Sequence, residues 1–156
     1  MIAADARALC TALPRNQRLL GLDVGEKSIG LALSDPGLSV ASPVSTIKRT
    51  KFTADANALL KLAAERGVGG LVIGLPLNMD GSEGPRCQSV RQFAANLLKL
   101  KDLPILFWDE RLSTVAVERA MIAHDVTRAK RDKVVDQAAA AFILQGALDA
   151  IGRTRE

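Results

Sequence analysis

Residues 69–75 (GGLVIGL) are apolar without a break and are stopped by Pro76. A run this short and this apolar suits a strand buried on both faces. The segments on either side of it have a helical period. Before it, across residues 52–66, Ala54, Ala58, Leu59, Leu62 and Ala63 recur at helical spacing, and Gly67 stands where a helix C-cap belongs. After it, Pro85 suits a first helical position, and Val90, Phe93, Ala94, Leu97 and Leu98 share one face. Residues 104–108 (PILFW) then supply a second buried strand. Strands alternating with helices in this way must pair in parallel through right-handed crossovers.

The chain upstream follows a different rule. Arg18–Val24 (RLLGLDV) and Ser28–Ser34 (SIGLALS) are apolar runs joined by a tight turn at Gly25, Glu26 and Lys27. Asp35-Pro36-Gly37 is turn chemistry, and residues 40–48 offer a third strand, which Pro43 pushes to a sheet edge. Downstream, Ser113 or Thr114 caps an expected helix to His124, with Val117, Ala120 and Met121 inward. A basic connector is expected over residues 125–131. Asp132 then stands as the N-cap of a last helix, whose apolar face is Val135, Ala138, Ala139, Phe142, Ile143 and Gly146. A meander followed by strand-helix-strand units predicts an α/β domain over residues 18–152, with a mixed five-stranded sheet and helices on both faces. Residues 1–17 carry no long apolar run and are expected to be a loosely held, flexible extension, neither signal peptide nor membrane anchor.

With 156 residues the chain suits one domain with a single core. Its formal charge of +4 permits nucleic-acid binding without requiring it. More telling is the cluster Arg128, Lys130, Arg131 and Lys133. The two cysteines, Cys10 and Cys87, are unpatterned, and His124 is the only histidine, which excludes a Cys/His zinc site. Free cysteines of this kind suit a reducing compartment, so a cytoplasmic chain is expected.

Three acids are candidates for chemistry. Asp23 interrupts an apolar strand, and a carboxylate taken out of water needs compensation, by a metal ion or by hydrogen bonds. Glu110 follows Asp109 where a buried strand emerges, the place where ligands gather in open α/β sheets. Asp136 lies about one turn inside the last expected helix, among alanines that allow close approach, and a helix N-terminus favours a carboxylate there. Separated acids without histidine suit hard, oxygen-seeking cations such as Mg2+ or Mn2+. Ions of this type activate water and stabilise the leaving oxygen in phosphodiester cleavage. Spacing alone does not bring the three acids together.

RLLGLDVGEKSIGLALSD (residues 18–35) resembles the opening motif of the YqgF/RuvX family, the pre-16S rRNA nucleases also called Holliday-junction-resolvase-like proteins. LPLNMDGSEGPR (75–86), DERLST (109–114) and KVVDQAAAAFILQ (133–145) match further blocks in the same order. The resemblance implies an RNase H-like fold with its first strand central and the fourth and fifth successively beside it. It implies that Asp23, Glu110 and Asp136 form a metal-binding catalytic cluster, with Asp109 as a substitute for Glu110. Lys27, Arg86, Arg111, Lys130, Arg131 and Lys133 are expected to meet the nucleic-acid backbone. The loop from Asn78 to Arg86 is a substrate element, its Gly81 and Gly84 permitting unusual backbone angles. Ser28 stands where the family often carries arginine, which puts phosphate contact in doubt more than catalysis.

The function implied is metal-dependent hydrolysis in maturation of the 5′ end of pre-16S rRNA, within ribosomal assembly intermediates and away from membranes. Two alternatives stay open. One is an endonuclease for structured or four-way-junction DNA, which predicts a homodimer rather than a monomer. The other is a non-catalytic RNA-binding assembly factor, against which the retention of all three acids argues. LDVG also resembles a phosphate-loop strand of sugar kinases and actin-like ATPases, but their paired-domain architecture needs a longer chain.

Overall fold

A computed structural model of the chain describes residues 1–112 and 128–155, with side chains described from residue 135 onward in the second stretch. In chain order the elements are β1 (Ile2–Ala3), α1 (Ala6–Ala12), β2 (Arg18–Val24), β3 (Ser28–Ser34), β4 (Ala41–Lys48), α2 (Phe52–Glu65), β5 (Val68–Leu75), α3 (Pro85–Leu100) and β6 (Ile105–Asp109). A single 3-10 turn (Glu110–Leu112) and α4 (Arg128–Thr154) complete them. The helix expected from Ser113 or Thr114 to His124 lies outside the described residues.

The strands form one sheet in the order β1-β6-β5-β2-β3-β4. The β2-β3-β4 part is an antiparallel meander, and β5 runs parallel to both β2 and β6. β2 is therefore central, with β5 and β6 successively beside it. All eight residues of β5 are buried, as their unbroken apolar run requires. β4 is an edge strand, and Pro43 sits in it opposite Ala32. Gly67 takes a left-handed φ of 68° just past α2, a conformation that costs glycine nothing.

Helices cover both faces. One core unites Leu22, Ile29 and Ile73 with Leu59 of α2 and Phe93 of α3. The other unites Leu19, Ala32 and Val72 with Leu9 of α1 and Ile143 and Leu144 of α4.

Several expectations change. Among the described residues the sheet has six strands, not five, because the N-terminal segment is folded. Ile2 and Ala3 pair in parallel with Ile105 and Leu106. The Met1 ammonium donates to Asp102 at 2.6 Å, and Leu9 is fully buried against α4. The apolar residues of this segment are too few to form an apolar run, yet they suffice to cover an exposed strand edge. In α2, Ala54 and Ala58 face solvent, while Asp55, Ala56, Leu59 and Ala63 face inward. The last helix begins by Arg128, so Asp132 lies within it and is not its N-cap. Arg, Ala and Lys are strong helix formers, and nothing between residues 128 and 132 breaks the helix. Asp136 is consequently about two turns inside, beyond the reach of the terminal dipole invoked for it.

Candidate active site

Asp23 belongs to the last turn of the pleat of β2 and is 8% exposed. The face it uses follows from its neighbours. Side chains two apart on a strand share a face, and a Cβ on Gly21 would strike Ala140 and Leu144 of α4. Asp23 therefore points towards α4. Across β3 it is paired with Gly30. On the β5 side it stands next to Gly74, one step beyond the paired residues Leu22 and Ile73.

Both flanking glycines leave room that other acids fill. A Cβ on Gly30 would lie 3.0 Å from the Asp136 Cβ and closer still to the Asp136 carbonyl. A Cβ on Gly74 would lie 2.8 Å from Oε1 of Glu110. The absence of a side chain at these two positions lets Asp136 and Glu110 lie over the sheet on either side of Asp23. The three predicted acids thus come from β2, α4 and the 3-10 turn, and they gather over the same end of the same sheet face. Neither glycine stood out in the sequence as functional. Their signal was a glycine in a buried strand, which often marks a close approach.

Ser28 has a part the sequence did not suggest. Its hydroxyl donates to Oδ2 of Asp136, tying the start of β3 to α4. At this position a short hydroxyl reaches the carboxylate, where the sequence suggested only the absence of the family's arginine.

The donor set is composed of carboxylate oxygens, with no sulfur or imidazole among these three residues. That chemistry fits a hard divalent cation. Among the described residues no three acidic, imidazole or thiol groups stand close enough together to hold a metal ion by themselves. Magnesium keeps several waters and takes few protein carboxylates.

The remaining predicted residues are placed differently. Arg111 donates to both oxygens of Asp109, the nearest contact at 2.8 Å, and to the carbonyl of Met79 at 3.1 Å. It straps the turn after β6 to the loop before α3. The hydrogen bond from Arg111 holds the Asp109 carboxyl below its usual range, so Asp109 is paired with Arg111 in its ionised form. Arg86 is exposed on the first turn of α3, and its guanidinium reaches the Val24 carbonyl at 3.4 Å. Lys27 is exposed at the β2-β3 turn. Lys130, Arg131 and Lys133 belong to the first turns of α4; their side chains lie outside the described residues. Trp108 packs against α4 where Gly146 leaves space, its indole 2.9 Å from where a Cβ would stand.

A mixed sheet with a central acidic strand, a meander on one side and parallel strands on the other, closed by a long C-terminal helix, defines an RNase H-like fold of the resolvase type. The solved structures agree. Thermus thermophilus RuvC in complex with a Holliday junction substrate aligns with a TM-score of 0.56 at 11% identity, covering 87% of this chain and 97% of that one. The yeast mitochondrial Holliday junction resolvase Ydc2 aligns with a TM-score of 0.51 at 12% identity, covering 96% and 85%. At such identities the likeness is one of fold. The family profile for RuvX, described as Holliday junction resolvase, matches residues 17–150. The chain belongs to the RuvX family. A relative from Rhodospirillum centenum is 64% identical over 154 residues, covering 96% of this chain and 82% of its own length. Another, from Paracoccus denitrificans, is 58% identical over 157 residues, covering 99% of each. Both carry the name "Putative pre-16S rRNA nuclease".

Proposed function

We propose that this chain is a cytoplasmic, metal-dependent nuclease that hydrolyses phosphodiester bonds in the maturation of the 5′ end of pre-16S rRNA. Asp23, Glu110 and Asp136 are its catalytic carboxylates. The observation that supports the reading best is the approach of Asp136 to Gly30, the strand partner of Asp23, and of Glu110 to Gly74. The relatives' shared name supports the choice of RNA.

The carboxylates of Asp23, Glu110 and Asp136 would hold Mg2+ or Mn2+. When bound, such an ion supplies an acidified water and offsets charge on the phosphate. The chain's own residues do the positioning. β2 fixes Asp23 rigidly, because it is hydrogen-bonded on both sides in the sheet. The Ser28 hydroxyl orients the Asp136 carboxylate. Arg111, by joining Asp109 to Met79, steadies the turn from which Glu110 projects.

The test is cleavage of a precursor 16S rRNA fragment by the purified chain with Mg2+ or Mn2+, beside Asp23→Asn and Asp136→Asn. Metal-dependent cutting by the parent that falls at least a hundredfold in both variants is expected. Cutting that survives in both variants overturns the site assignment. RNA binding without cutting would favour an assembly factor. The family's description as Holliday junction resolvase favours one second reading, the cutting of four-way DNA junctions. Preference for a junction over the RNA, by a protein that sediments as a dimer, would establish it.

A further inference from the structure

The turn after Asp23 borders a second depression, on the opposite side of the sheet from the acids. Val24 packs with the α2-α3 core, whereas Asp23 faces α4. Beyond Val24 lies a cleft of about 530 Å3 between the β2-β3 turn, the connection from β4 to α2, and the start of α3. Arg49, Thr50, Arg86 and Ser89 line it, together with Glu26.

The sequence around this cleft is basic. Lys48, Arg49 and Lys51 stand within four positions at the end of β4. The Arg49 amide donates to the Lys27 carbonyl, which ties the β2-β3 turn to this segment. Two cations, Arg49 and Arg86, line the cleft itself, against Glu26 and the buried Asp55. The charge of Asp55, which is 2% exposed, is already engaged by Arg49 at 3.7 Å and by the Thr50 amide at 3.0 Å.

Arg49 is held in place. Its Nη1 donates to the Gly25 carbonyl at 2.8 Å, and its guanidinium lies 5.5 Å from the centre of the Phe93 ring. A guanidinium fixed in this way loses little freedom on meeting a phosphate. Opposite it, Gly84, the N-cap of α3, gives that helix no side-chain cap, and Ser89 offers an exposed hydroxyl.

We infer that this cleft is a subsite for a backbone phosphate of the bound strand other than the one cut, with Arg49, Arg86 and Ser89 as its contacts. The inference rests on the nuclease reading only for which strand is bound. Asp23 and Gly25 are two residues apart, about 7 Å along an extended chain. A strand crossing the end of β2 would thus place one phosphate over the carboxylates and a near neighbour in the cleft.

The experiment reads binding, not cutting. Fluorescence anisotropy in EDTA at low salt measures the affinity of the full chain for a labelled RNA strand spanning the cleavage region. Cationic contacts to phosphate need no metal. Each linkage in turn is replaced by an uncharged methylphosphonate. At one position the neutral linkage should weaken binding about fivefold in the parent and leave Arg86→Gln, already weakened by a similar factor, unchanged. Ser89→Glu, which adds a like charge at an exposed position, should weaken binding at least tenfold with an unaltered Tm. The log–log salt slope of Arg86→Gln should be shallower by about 0.7, the value for one phosphate on a single strand. The inference is overturned if the losses from Arg86→Gln and from the neutral linkage multiply at every position, if Ser89→Glu binds like the parent, or if the parent binds no RNA. Binding with this signature but no cleavage in magnesium would overturn the nuclease reading and leave the subsite standing.

Discussion

Gly30→Ala tests whether α4 is seated on the sheet as described. The added methyl carbon would lie 3.0 Å from the Cβ of Asp136 and closer to that residue's carbonyl carbon and oxygen. These are helix backbone atoms, so the clash cannot be relieved by a rotamer change. Either α4 lifts at this point or β3 bends away. Overpacking of this kind costs about 1–3 kcal/mol. For a chain of this length that corresponds to roughly 2–12 °C in Tm. Differential scanning calorimetry reads the loss. Gly152→Ala is the control, since nothing lies within 4 Å of its added Cβ. Exchanging glycine for alanine in a helix there should stabilise by up to about 1 kcal/mol. Cleavage should suffer more than stability in Gly30→Ala, because the displaced residue is Asp136 itself. At temperatures where the variant is fully folded, the rate should be at least tenfold below the parent. A Gly30→Ala protein with the parent's Tm and the parent's rate would refute the close approach of α4 to β3, and with it the account of how Asp136 reaches the site.

Four further outcomes follow from single contacts. Ser28→Ala should raise the Mg2+ concentration needed for half-maximal cleavage several-fold and leave RNA affinity unchanged, since a hydrogen bond to a charged group contributes about 1.5–3 kcal/mol; Ser28→Thr should restore it. An equal loss in both Ser28 variants would assign the serine to packing alone. Leu9→Ala should cost about 2–5 kcal/mol, because Leu9 is fully buried against α4; an unchanged Tm would mean that residues 1–17 are a loose extension after all. The amides of Val40 and Ser39 hold the Asp35 carboxyl below its usual range. Its contribution is therefore complete above the unfolded pKa of about 4 and fades as pH falls through the lower folded value. The Tm gap between parent and Asp35→Ala should be steady from pH 7 to 5 and close below pH 4; a gap that persists at pH 2.5 would contradict this. Arg111→Ala frees Asp109 and releases the Met79 carbonyl, and hydrogen exchange should show faster amide exchange over residues 78–82, whose unchanged protection would deny Arg111 its role as a strap.

The central strands were legible because burial on both faces leaves no freedom in composition. β5 and its flanking helices follow directly from an apolar run with a proline at its end and a change of period on either side. The edge was not legible. Only two residues of β1 pair with β6, and their partners are contributed by the rest of the chain, so no local pattern marks them. In α2 the phase was misjudged because alanine is at home on either face. The buried position belongs instead to Asp55, whose compensation by Arg49 and by the Thr50 amide exists only in three dimensions. The start of α4 failed for the opposite reason. A basic run suggests a solvated connector, yet Arg, Ala and Lys propagate a helix, and the helix continues through them.

The acids show how far such reading reaches into a site. Asp23 is conspicuous because it is a charge in a buried strand. Asp136 is not, since a carboxylate in a helix is ordinary until the opposing strand is known to carry glycine. The informative pair is Gly30 with Asp136: one residue gives up its side chain so that the other can approach. Gly74 stands in the same relation to Glu110. In the proposed site the two glycines serve packing and chemistry together, because the closeness that seats α4 on the sheet also brings Asp136 against Gly30, the strand partner of Asp23. A substitution that relaxes this packing must therefore move the acid as well. In this fold the stability of the α4 face and the geometry of the site cannot be tuned apart, and Gly30 is where a loss in one should be most directly read as a loss in the other.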